Sequence, residues 1–307
     1  MADERTRDAL LASIQGEETP IANEVTADYK LKRLLRGAVF SPPTHTRIIT
    51  VSNQKGGVGK TTTAVNIAAA LADGGLRVLV IDSDPQGNAS TALGVPHGEG
   101  TTSLYECLLD DVPIAEAVVP CPDFDSLFVL PATIDLAGAE IELVMMDDRV
   151  ERLEAVLHTY LREHYYDYVF IDCPPSLGLL TLNAFVAARE VLIPIQTEYY
   201  ALEGLSQLLA NIERINTSVN PALHVSTIVL TMNDRRTNLA REVASEVRRY
   251  FPRETLQHTI PRSVRISEAP SHGKTIITYD RNGSGALAYR AVAHEIAERG
   301  KEMTVHG

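Results

Sequence analysis

The run from Lys55 to Thr63 holds the residues whose types and spacing could do chemistry; it reads Lys-Gly-Gly-Val-Gly-Lys-Thr-Thr-Thr. Glycines let successive backbone N–H groups point at one anion, and a helix that starts beside them adds the positive end of its dipole. Lys60 can reach the β- and γ-phosphates of a nucleotide, and the Thr61 hydroxyl suits Mg²⁺, which prefers hard oxygen ligands. The run therefore predicts a phosphate-binding loop.

The flanking segments place this loop between a strand and a helix. Residues 47 to 53 are β-branched and apolar enough for a buried parallel strand, and residues 61 to 74 are rich in alanine with helical spacing. The alternative is a glycine-rich turn of an ordinary βα unit. The strand–loop–helix context favours the binding loop.

Two other apolar runs end in acidic residues. Residues 78 to 81 lead into Asp82 and Asp84, and residues 168 to 171 lead into Asp172. Ligands of open α/β sheets bind at the carboxyl ends of parallel strands, so these acids belong at the rim that holds the loop. A carboxylate there suits a water-mediated contact to Mg²⁺. The alternative for each acid is a turn former or a helix N-cap.

The lysine at position 55 departs from the common phosphate loop, which has a glycine where this chain has Gln54. The resulting pattern, K-G-G-x-G-K-T, resembles the deviant Walker A loop of the ParA/MinD superfamily. Residues 82–88 (DSDPQGN) and 171–184 (IDCPPSLGLLTLNA) resemble its ParA/Soj chromosome-partitioning branch. Residues 131–137 and 197–204 also resemble this branch. The resemblance begins near Thr46.

This resemblance implies an ATPase for chromosome or plasmid segregation. Members use ATP and Mg²⁺ to close a sandwich homodimer, which binds double-stranded DNA non-specifically and is released by slow hydrolysis that a ParB-like centromere-binding protein stimulates. It also implies that Lys55 crosses the dimer interface, that Asp84 orients the attacking water and that Asp172 is the Walker B acid. Two lysines on one loop would repel unless phosphate charges lay between them. The alternative for Lys55 is a solvated loop lysine.

The expected site combines the loop with two segments near the C-terminus. By resemblance, Asn233 and the backbone at Pro261 read the adenine edge. Block 197–204 is expected at an interface, with core packing as the alternative. The expected nucleotide-binding residues are Lys55, Gly56, Gly57, Val58, Gly59, Lys60, Thr61, Thr62, Asn233 and Pro261. The expected metal-binding residues are Thr61, with Asp82 and Asp172 acting through water, and the expected catalytic residues are Lys55, Lys60 and Asp84.

Charge is unevenly distributed along the chain. The net charge is −12, which alone argues against nucleic acid. Yet residues 235 to 299 contain twelve Lys plus Arg, eleven of them arginine, against seven Asp plus Glu. Such a local excess suits non-specific binding to the phosphate backbone. By resemblance, Arg236 and Arg265 match DNA-binding arginines; the alternative is salt-bridged or solvated helix faces.

The chain alternates strand and helix patterns from about residue 46, which predicts a doubly wound, mostly parallel sheet with helices on both faces. Expected strands are 47–53, 78–82, 127–130, 167–172, 190–195, 225–231 and 274–277. Residues 1–45 are expected to form a mobile N-terminal arm preceding one ATPase domain at 46–307. Within the arm, residues 27–40 form a short basic amphipathic pattern, which could dock on the body, bind DNA or a partner, or stay disordered.

Composition and termini exclude several classes. No apolar stretch approaches the 18 residues needed to span a membrane, and the N-terminus lacks a secretory signal, so we expect a cytoplasmic, nucleoid-associated protein. A MinD-like membrane-cycling ATPase would need a C-terminal amphipathic helix, which residues 298–307 do not form. An iron–sulfur reductase would need cluster cysteines, and the three cysteines have the wrong spacing. A scaffold that binds ATP without hydrolysing it is the remaining alternative.

Overall fold

The computed structural model describes residues 20–199, 201–234 and 236–302. Seven strands alternate with helices along the chain. The strands are β1 (Arg47–Val51), β2 (Val78–Asp82), β3 (Val119–Pro120), β4 (Leu127–Leu130), β5 (Tyr168–Asp172), β6 (Glu190–Gln196) and β7 (His224–Thr231). The α-helices are α1 (Pro20–Leu35), α2 (Lys60–Asp73), α3 (Asn88–Ala92), α4 (Leu104–Leu109), α5 (Ile114–Ala117), α6 (Leu136–Glu142), α7 (Arg152–Leu161), α8 (Leu179–Ala187), α9 (Ala201–Ser218), α10 (Asn238–Tyr250), α11 (Val264–Glu268), α12 (Ile276–Tyr279) and α13 (Ser284–Glu302). Short 3₁₀ turns cover Leu143–Met145 and Ala269–His272.

The strands form one sheet in the order β3-β4-β2-β5-β1-β6-β7, and every pair is parallel except β3 with β4. The doubly wound, mostly parallel sheet predicted from the sequence is confirmed. Strands β2, β5 and β1 are neighbours at its centre, although β5 comes much later in the chain. Their carboxyl ends therefore lie side by side, which is where ligands of such sheets bind.

The sheet separates two apolar cores. One face packs against α2, α12 and α13 through residues such as Ile67 and Val292, and the other packs against α4 and α6 to α10 through residues such as Leu157 and Phe185. The central strands are buried along their whole length because helices cover both faces. Cys107 and Cys173 lie in one core and Cys121 lies in the other.

Six of the seven expected strands are present, and the seventh prediction is wrong. Residues 274–277 do not form a strand, because Ile276 begins the short helix α12 and Thr275 precedes it as the cap residue. The N–H of Ile276 donates to Asn66 Oδ1 on α2 at 2.7 Å, which fixes this turn on the core. A short apolar run fits a buried helix as well as a strand, so periodicity could not separate them. The sequence also missed β3, an edge strand of two residues.

The described part of the N-terminal segment is ordered as a helix. Helix α1 packs against α13, with Leu31 and Leu35 partly buried and the basic residues Lys30, Lys32 and Arg33 exposed. Phe40 then packs edge-to-face on His294 with the ring centroids 5.4 Å apart. Residues 1–19, Tyr200, Arg235 and residues 303–307 lie outside the described residues, so the mobility expected of the arm's first half is not described. Among the described helices, none is long and apolar enough to cross a membrane.

Candidate active site

The loop between β1 and α2 turns on glycines that a side chain could not replace easily. Gly57 and Gly59 have φ of +75° and +87°, in the left-handed region that favours glycine. Val58 between them is buried, and its carbonyl accepts a hydrogen bond from the Thr231 hydroxyl at 2.8 Å. A Cβ atom built on Gly56 or Gly57 would have no other heavy atom within 4 Å, so the space beside these two residues is open. The loop is therefore anchored from β7 on one side and open on the other, as a phosphate cradle requires.

Lys60 starts α2 with its side chain largely buried. Its ammonium lies 3.5 Å from the Lys55 carbonyl, a weak contact for a charged donor. Burial lowers the pKa of Lys60, and the carboxylates of Asp172 and Asp84 oppose that shift. An ammonium has three N–H donors, and the weak contact to Lys55 leaves most of them available. A buried ammonium beside a glycine-rich loop therefore suits an anionic phosphate group.

Asp82 and Asp172 are direct neighbours in the sheet, since β2 and β5 pair them in register. Both carboxylates are fully buried. Asp82 is satisfied by Ser90, whose N–H and hydroxyl donate to Oδ2 at 2.8 and 2.7 Å. Burial nevertheless raises the pKa of Asp82 to about 6. The carboxylate of Asp82 is thus held by Ser90 on α3.

Among the residues that the structure describes, no hydrogen bond of normal geometry reaches either carboxylate oxygen of Asp172, although the Thr61 hydroxyl lies near enough to act on its pKa. Burial raises its pKa well above the usual range, the charge of Asp82 adds to that shift, and Thr61 and Lys60 oppose it. Buried polar atoms are rarely left unpartnered, so this carboxylate calls for a cation or a hydrated ion. Within the described residues, no group of three His, Cys, Asp or Glu side chains could hold a metal alone. The residues fit Mg²⁺ held through water, one threonine hydroxyl and phosphate oxygens, because Mg²⁺ seldom uses an all-protein cage.

Asp84 lies just beyond β2 and is nearly buried. Its N–H donates to Asp82 Oδ1 at 3.3 Å, and its own Oδ1 accepts the N–H of Gln86 at 3.0 Å. These bonds fix the turn after β2 and leave Oδ2 of Asp84 for another partner. The charge of Asp84 also acts on Lys60 across the site. Its position suits a carboxylate that orients a water beside the phosphates.

Lys55 has a different environment from Lys60. Its side chain is 37% exposed, and its ammonium pairs with Glu198 Oε2 at 3.1 Å. Glu198 is also bonded by the Gln196 amide and follows β6. Lys55 is therefore partly exposed to solvent, and the ion pair holds its ammonium beside the residues that follow β6. Glu198 belongs to the block expected at an interface, and the adjoining Tyr199 is 76% exposed.

Asn233 and Pro261 are brought together across two segments far apart in sequence. They form an isolated parallel bridge, in which the N–H of Asn233 donates to the Ile260 carbonyl at 2.9 Å. The Asn233 amide donates to the Thr259 hydroxyl at 3.1 Å. Met232 has φ of +48°, a left-handed conformation that is costly for a large side chain. This strained turn places Asn233 at the end of β7, beside the loop.

The two predicted DNA-binding arginines are exposed, and acidic neighbours engage both. Arg236 makes a two-bond pair with Asp234, with both contacts at 2.8 Å, which lowers the pKa of Asp234 to about 2. Arg265 lies over the Tyr279 ring at 5.0 Å and contacts Glu268 at 3.4 Å.

Part of the arginine excess is structural. Arg290 pairs with Asp73 at 3.0 Å, and Arg299 donates to three carbonyls of residues 253–255. Arg241 and Arg248, by contrast, line a cavity of about 390 Å³ beside Asn233. The arginines available for DNA are therefore fewer than the sequence suggests.

Sequence reasoning did not assign the contacts of three residues that shape the site: Ser90, Thr231 and Glu198. Ser90 lies eight residues after Asp82 and holds it, Thr231 anchors the loop, and Glu198 pairs with Lys55. Only Ser90 had a signal, since a hydroxyl at the start of a short helix can meet the carboxylate before it. The other two act over more than 140 positions of sequence, which no local pattern encodes.

Comparisons with known proteins agree with this geometry. A family model described as an AAA domain matches residues 46–225. The chromosome partitioning protein ParA of Myxococcus xanthus is 53% identical over 253 residues, which cover 82% of this chain and 88% of that protein. The sporulation initiation inhibitor protein Soj of Bacillus subtilis is 50% identical over 83% of this chain and 99% of its own length.

Solved structures show the same fold. A Mycobacterium smegmatis protein described as cobyrinic acid a,c-diamide synthase, with bound ADP and magnesium, superposes with a TM-score of 0.69. It is 38% identical and covers 81% of this chain and 92% of its own. Together with the loop, the paired acids and the second lysine, these matches place the chain in the ParA/Soj family of chromosome-partitioning ATPases.

Proposed function

We propose that this chain is a partition ATPase whose ATP-bound homodimer holds non-specific DNA until a ParB-like partner stimulates hydrolysis. The observation that supports it most is the contrast between the two loop lysines. Lys60 is buried, whereas the side chain of Lys55 is 37% exposed and pairs with Glu198, which is exposed as well. A second cation that is needed only between two subunits must be accessible from outside its own chain, as Lys55 is.

The chemistry is transfer of the γ-phosphoryl group of ATP to water. Mg²⁺, when bound, would neutralise charge on the phosphates. The loop N–H groups and Lys60 hold the phosphates, and Thr61 with Asp172 hold the hydrated metal. Asp84 orients the water, and Asn233 with the backbone at Pro261 contacts the adenine. Water must be excluded for these charges to act strongly, which dimer closure over the loop would achieve.

DNA binding is proposed for the arginine surface that includes Arg236 and Arg265. A single set of exposed arginines binds weakly, because each must give up its acidic neighbour and is screened by salt. Two sets on one dimer bind far better, because the second contact becomes intramolecular. The dimer would therefore be nucleoid-associated with ATP and released after hydrolysis.

One experiment tests whether DNA binding by the dimer depends on the bound nucleotide. The full chain is co-sedimented with long double-stranded DNA of unrelated sequence in ADP, in ATP and in a non-hydrolysable ATP analogue. We expect little pelleting with ADP, more with ATP and most with the analogue. Equal pelleting in all three would contradict the coupling of DNA binding to the nucleotide.

Lys55→Ala is expected to separate dimerisation from nucleotide binding. The variant should bind ATP within a few-fold of the unchanged chain, because Lys60 and the loop N–H groups remain, and it should stay monomeric with ATP. Size-exclusion chromatography with light scattering measures the mass in each nucleotide. Glu198→Gln is the matched control, since it breaks the same ion pair but keeps the lysine. Normal dimerisation of Lys55→Ala would remove the cross-interface role.

Arg265→Glu is expected to abolish DNA binding in ATP while ATP-dependent dimerisation is retained. For each phosphate that the variant no longer neutralises, the slope of log-affinity against log-salt should fall by roughly 0.9, doubled in a symmetric dimer. Arg236→Glu should act in the same direction but more weakly. Arg162→Glu is the control: this exposed arginine lies between α7 and β5, on the side of the sheet where β5 begins, away from the carboxyl ends of the strands. Unchanged DNA binding, or loss of the dimer, would assign Arg265 to the fold or the nucleotide pocket.

A further inference from the structure

The ammonium of Lys55 is held by a carboxylate of its own chain. Lys55 follows β1 and Glu198 follows β6, and these two strands are parallel neighbours in the sheet. Their charged groups lie 3.1 Å apart, although 143 positions of sequence separate the two residues. Within the part of the chain that the structure describes, Glu198 is the acid that pairs with Lys55. The tertiary structure thus gives the second lysine of the loop a partner at the rim of the sheet.

Both ends of this ion pair are positioned by further hydrogen bonds. The amide of Gln196 donates to the other carboxylate oxygen of Glu198. Asn53 Oδ1 accepts the N–H of Lys55 at 3.0 Å, and the Asn53 amide donates to the Pro194 carbonyl on β6 at 2.8 Å. Asn53 is buried, so it ties the start of the loop to the strand that leads to Glu198. Such positioning reduces the side-chain freedom that an ion pair near the surface costs.

The ion pair competes with the role proposed for Lys55 in the dimer. Lys55 could contact the phosphates of a second subunit and keep Glu198 only if the carboxylate lay beside those phosphates. Like charges opposed in this way are costly. The pair must therefore break as the dimer closes. A triphosphate carries several charges, so it attracts an ammonium more strongly than one carboxylate does.

We propose that Glu198 is a positioning residue that keeps Lys55 on its own chain until the phosphates of a second subunit draw it away. This role rests on the proposed function, because it requires Lys55 to cross the interface. A partly exposed ion pair contributes a factor of roughly 1.5 to 5. Since each dimer breaks two such pairs, Glu198 should weaken dimerisation by about 2- to 30-fold.

The consequence is a threshold for dimerisation. The pair belongs to the free subunit, so it weakens the dimers formed with ATP and with ADP by the same factor. ADP has fewer phosphate charges to attract Lys55, so its dimer is already the weaker of the two. Glu198 therefore suppresses the ADP dimer and leaves the ATP dimer populated.

Glu198→Gln tests this role because it breaks the ion pair and leaves Lys55 in place. Sedimentation velocity of the full chain with Mg²⁺ and a non-hydrolysable ATP analogue measures the dissociation constant of the dimer. At low salt we expect the constant of the variant to be about 2- to 30-fold lower than that of the unchanged chain. The difference should shrink at high salt, because exposed ion pairs are screened. With ADP, the variant should form more dimer than the unchanged chain.

Glu213→Gln is the matched control. It removes the same charge from an exposed position on α9, roughly 18 Å along the helix from its first residue, and should dimerise as the unchanged chain does.

A second measurement separates release of Lys55 from a general loss of negative charge near the nucleotide. A fluorescent ADP analogue is titrated at protein concentrations at which both chains are monomeric. If Glu198 acts through Lys55, the analogue should bind Glu198→Gln and the unchanged chain within about twofold of each other. Binding that is tighter by the factor seen in dimerisation would overturn the proposal, because the carboxylate would then act on the nucleotide of its own chain.

Lys55→Ala separates a failure of this proposal from a failure of the proposed function. If Lys55→Ala is monomeric with ATP and Glu198→Gln dimerises no better than the unchanged chain, Glu198 does not restrain the lysine and only this proposal is overturned. If Lys55→Ala dimerises normally, the cross-interface role of the lysine is refuted, and the role of Glu198 is refuted with it.

Discussion

Lys60→Ala is expected to abolish tight ATP binding. The ammonium is buried at the start of α2 and makes one weak hydrogen bond to the described residues, so its other donors are available for the phosphates. Removing one partner of a desolvated charge pair costs roughly 2 to 5 kcal/mol, which is about 30-fold to several-thousandfold in affinity. Titration with a fluorescent ATP analogue in the presence of Mg²⁺ measures the loss.

The fold should survive this change. Burial lowers the pKa of Lys60, which means that the buried site disfavours the charged ammonium when no ligand is bound. Without nucleotide, we expect the unfolding temperature of Lys60→Ala to equal or slightly exceed that of the unchanged chain. The rise in unfolding temperature that ATP causes in the unchanged chain should be absent in the variant. Lys274→Ala removes an exposed lysine and is the control. It should keep the unfolding temperature of the unchanged chain and its stabilisation by ATP. ATP binding by Lys60→Ala within about threefold of the unchanged chain would remove the lysine from the phosphate site.

Asp84→Ala is expected to slow hydrolysis on the order of tenfold to a thousandfold while ATP still binds. The carboxylate fixes the turn after β2 through Gln86 but anchors no loop residue, so the phosphate cradle should persist. The dimer should therefore accumulate in ATP and stay on DNA. Phosphate release measures the rate, and co-sedimentation with DNA in ATP measures the trapped state.

A second acid separates the chemical role of Asp84 from a general loss of charge. Asp125 is exposed before β4, at the edge of the sheet away from the loop, so Asp125→Ala should hydrolyse ATP normally. If Asp84→Ala loses dimerisation in ATP, the carboxylate supports the fold of the turn after β2 and another group orients the water. Undiminished hydrolysis would likewise show that a group other than Asp84 orients the water.

The sequence by itself determined the loop, the acids and the sheet. Residues 55 to 63 carry their chemistry in consecutive positions, and the apolar runs before Asp82 and Asp172 are long enough to identify buried strands. The alternation of strands and helices then leaves few topologies, since crossovers between parallel strands are right-handed. Local sequence patterns were enough to predict these features because each one lies within a short stretch of the chain. They failed at residues 274–277, where a short apolar run fits two structures.

Only the tertiary structure decided how distant residues meet. Asp82 and Asp172 are neighbours because β5 lies between β1 and β2 in the sheet. Lys55 meets Glu198 because the loop after β1 and the residues after β6 lie side by side. Whether an arginine is available for DNA also depends on its neighbours: Arg290 and Arg299 are held within the fold, although the sequence counts them with Arg265. The exposed apolar side chains of Ile141 and Met145 could not be told from the buried Leu143 between them in the sequence, because only packing shows which side of a helix is covered. Hydrogen bonds, ion pairs and burial are contacts between residues far apart in the chain, so they are fixed by packing and not by local pattern.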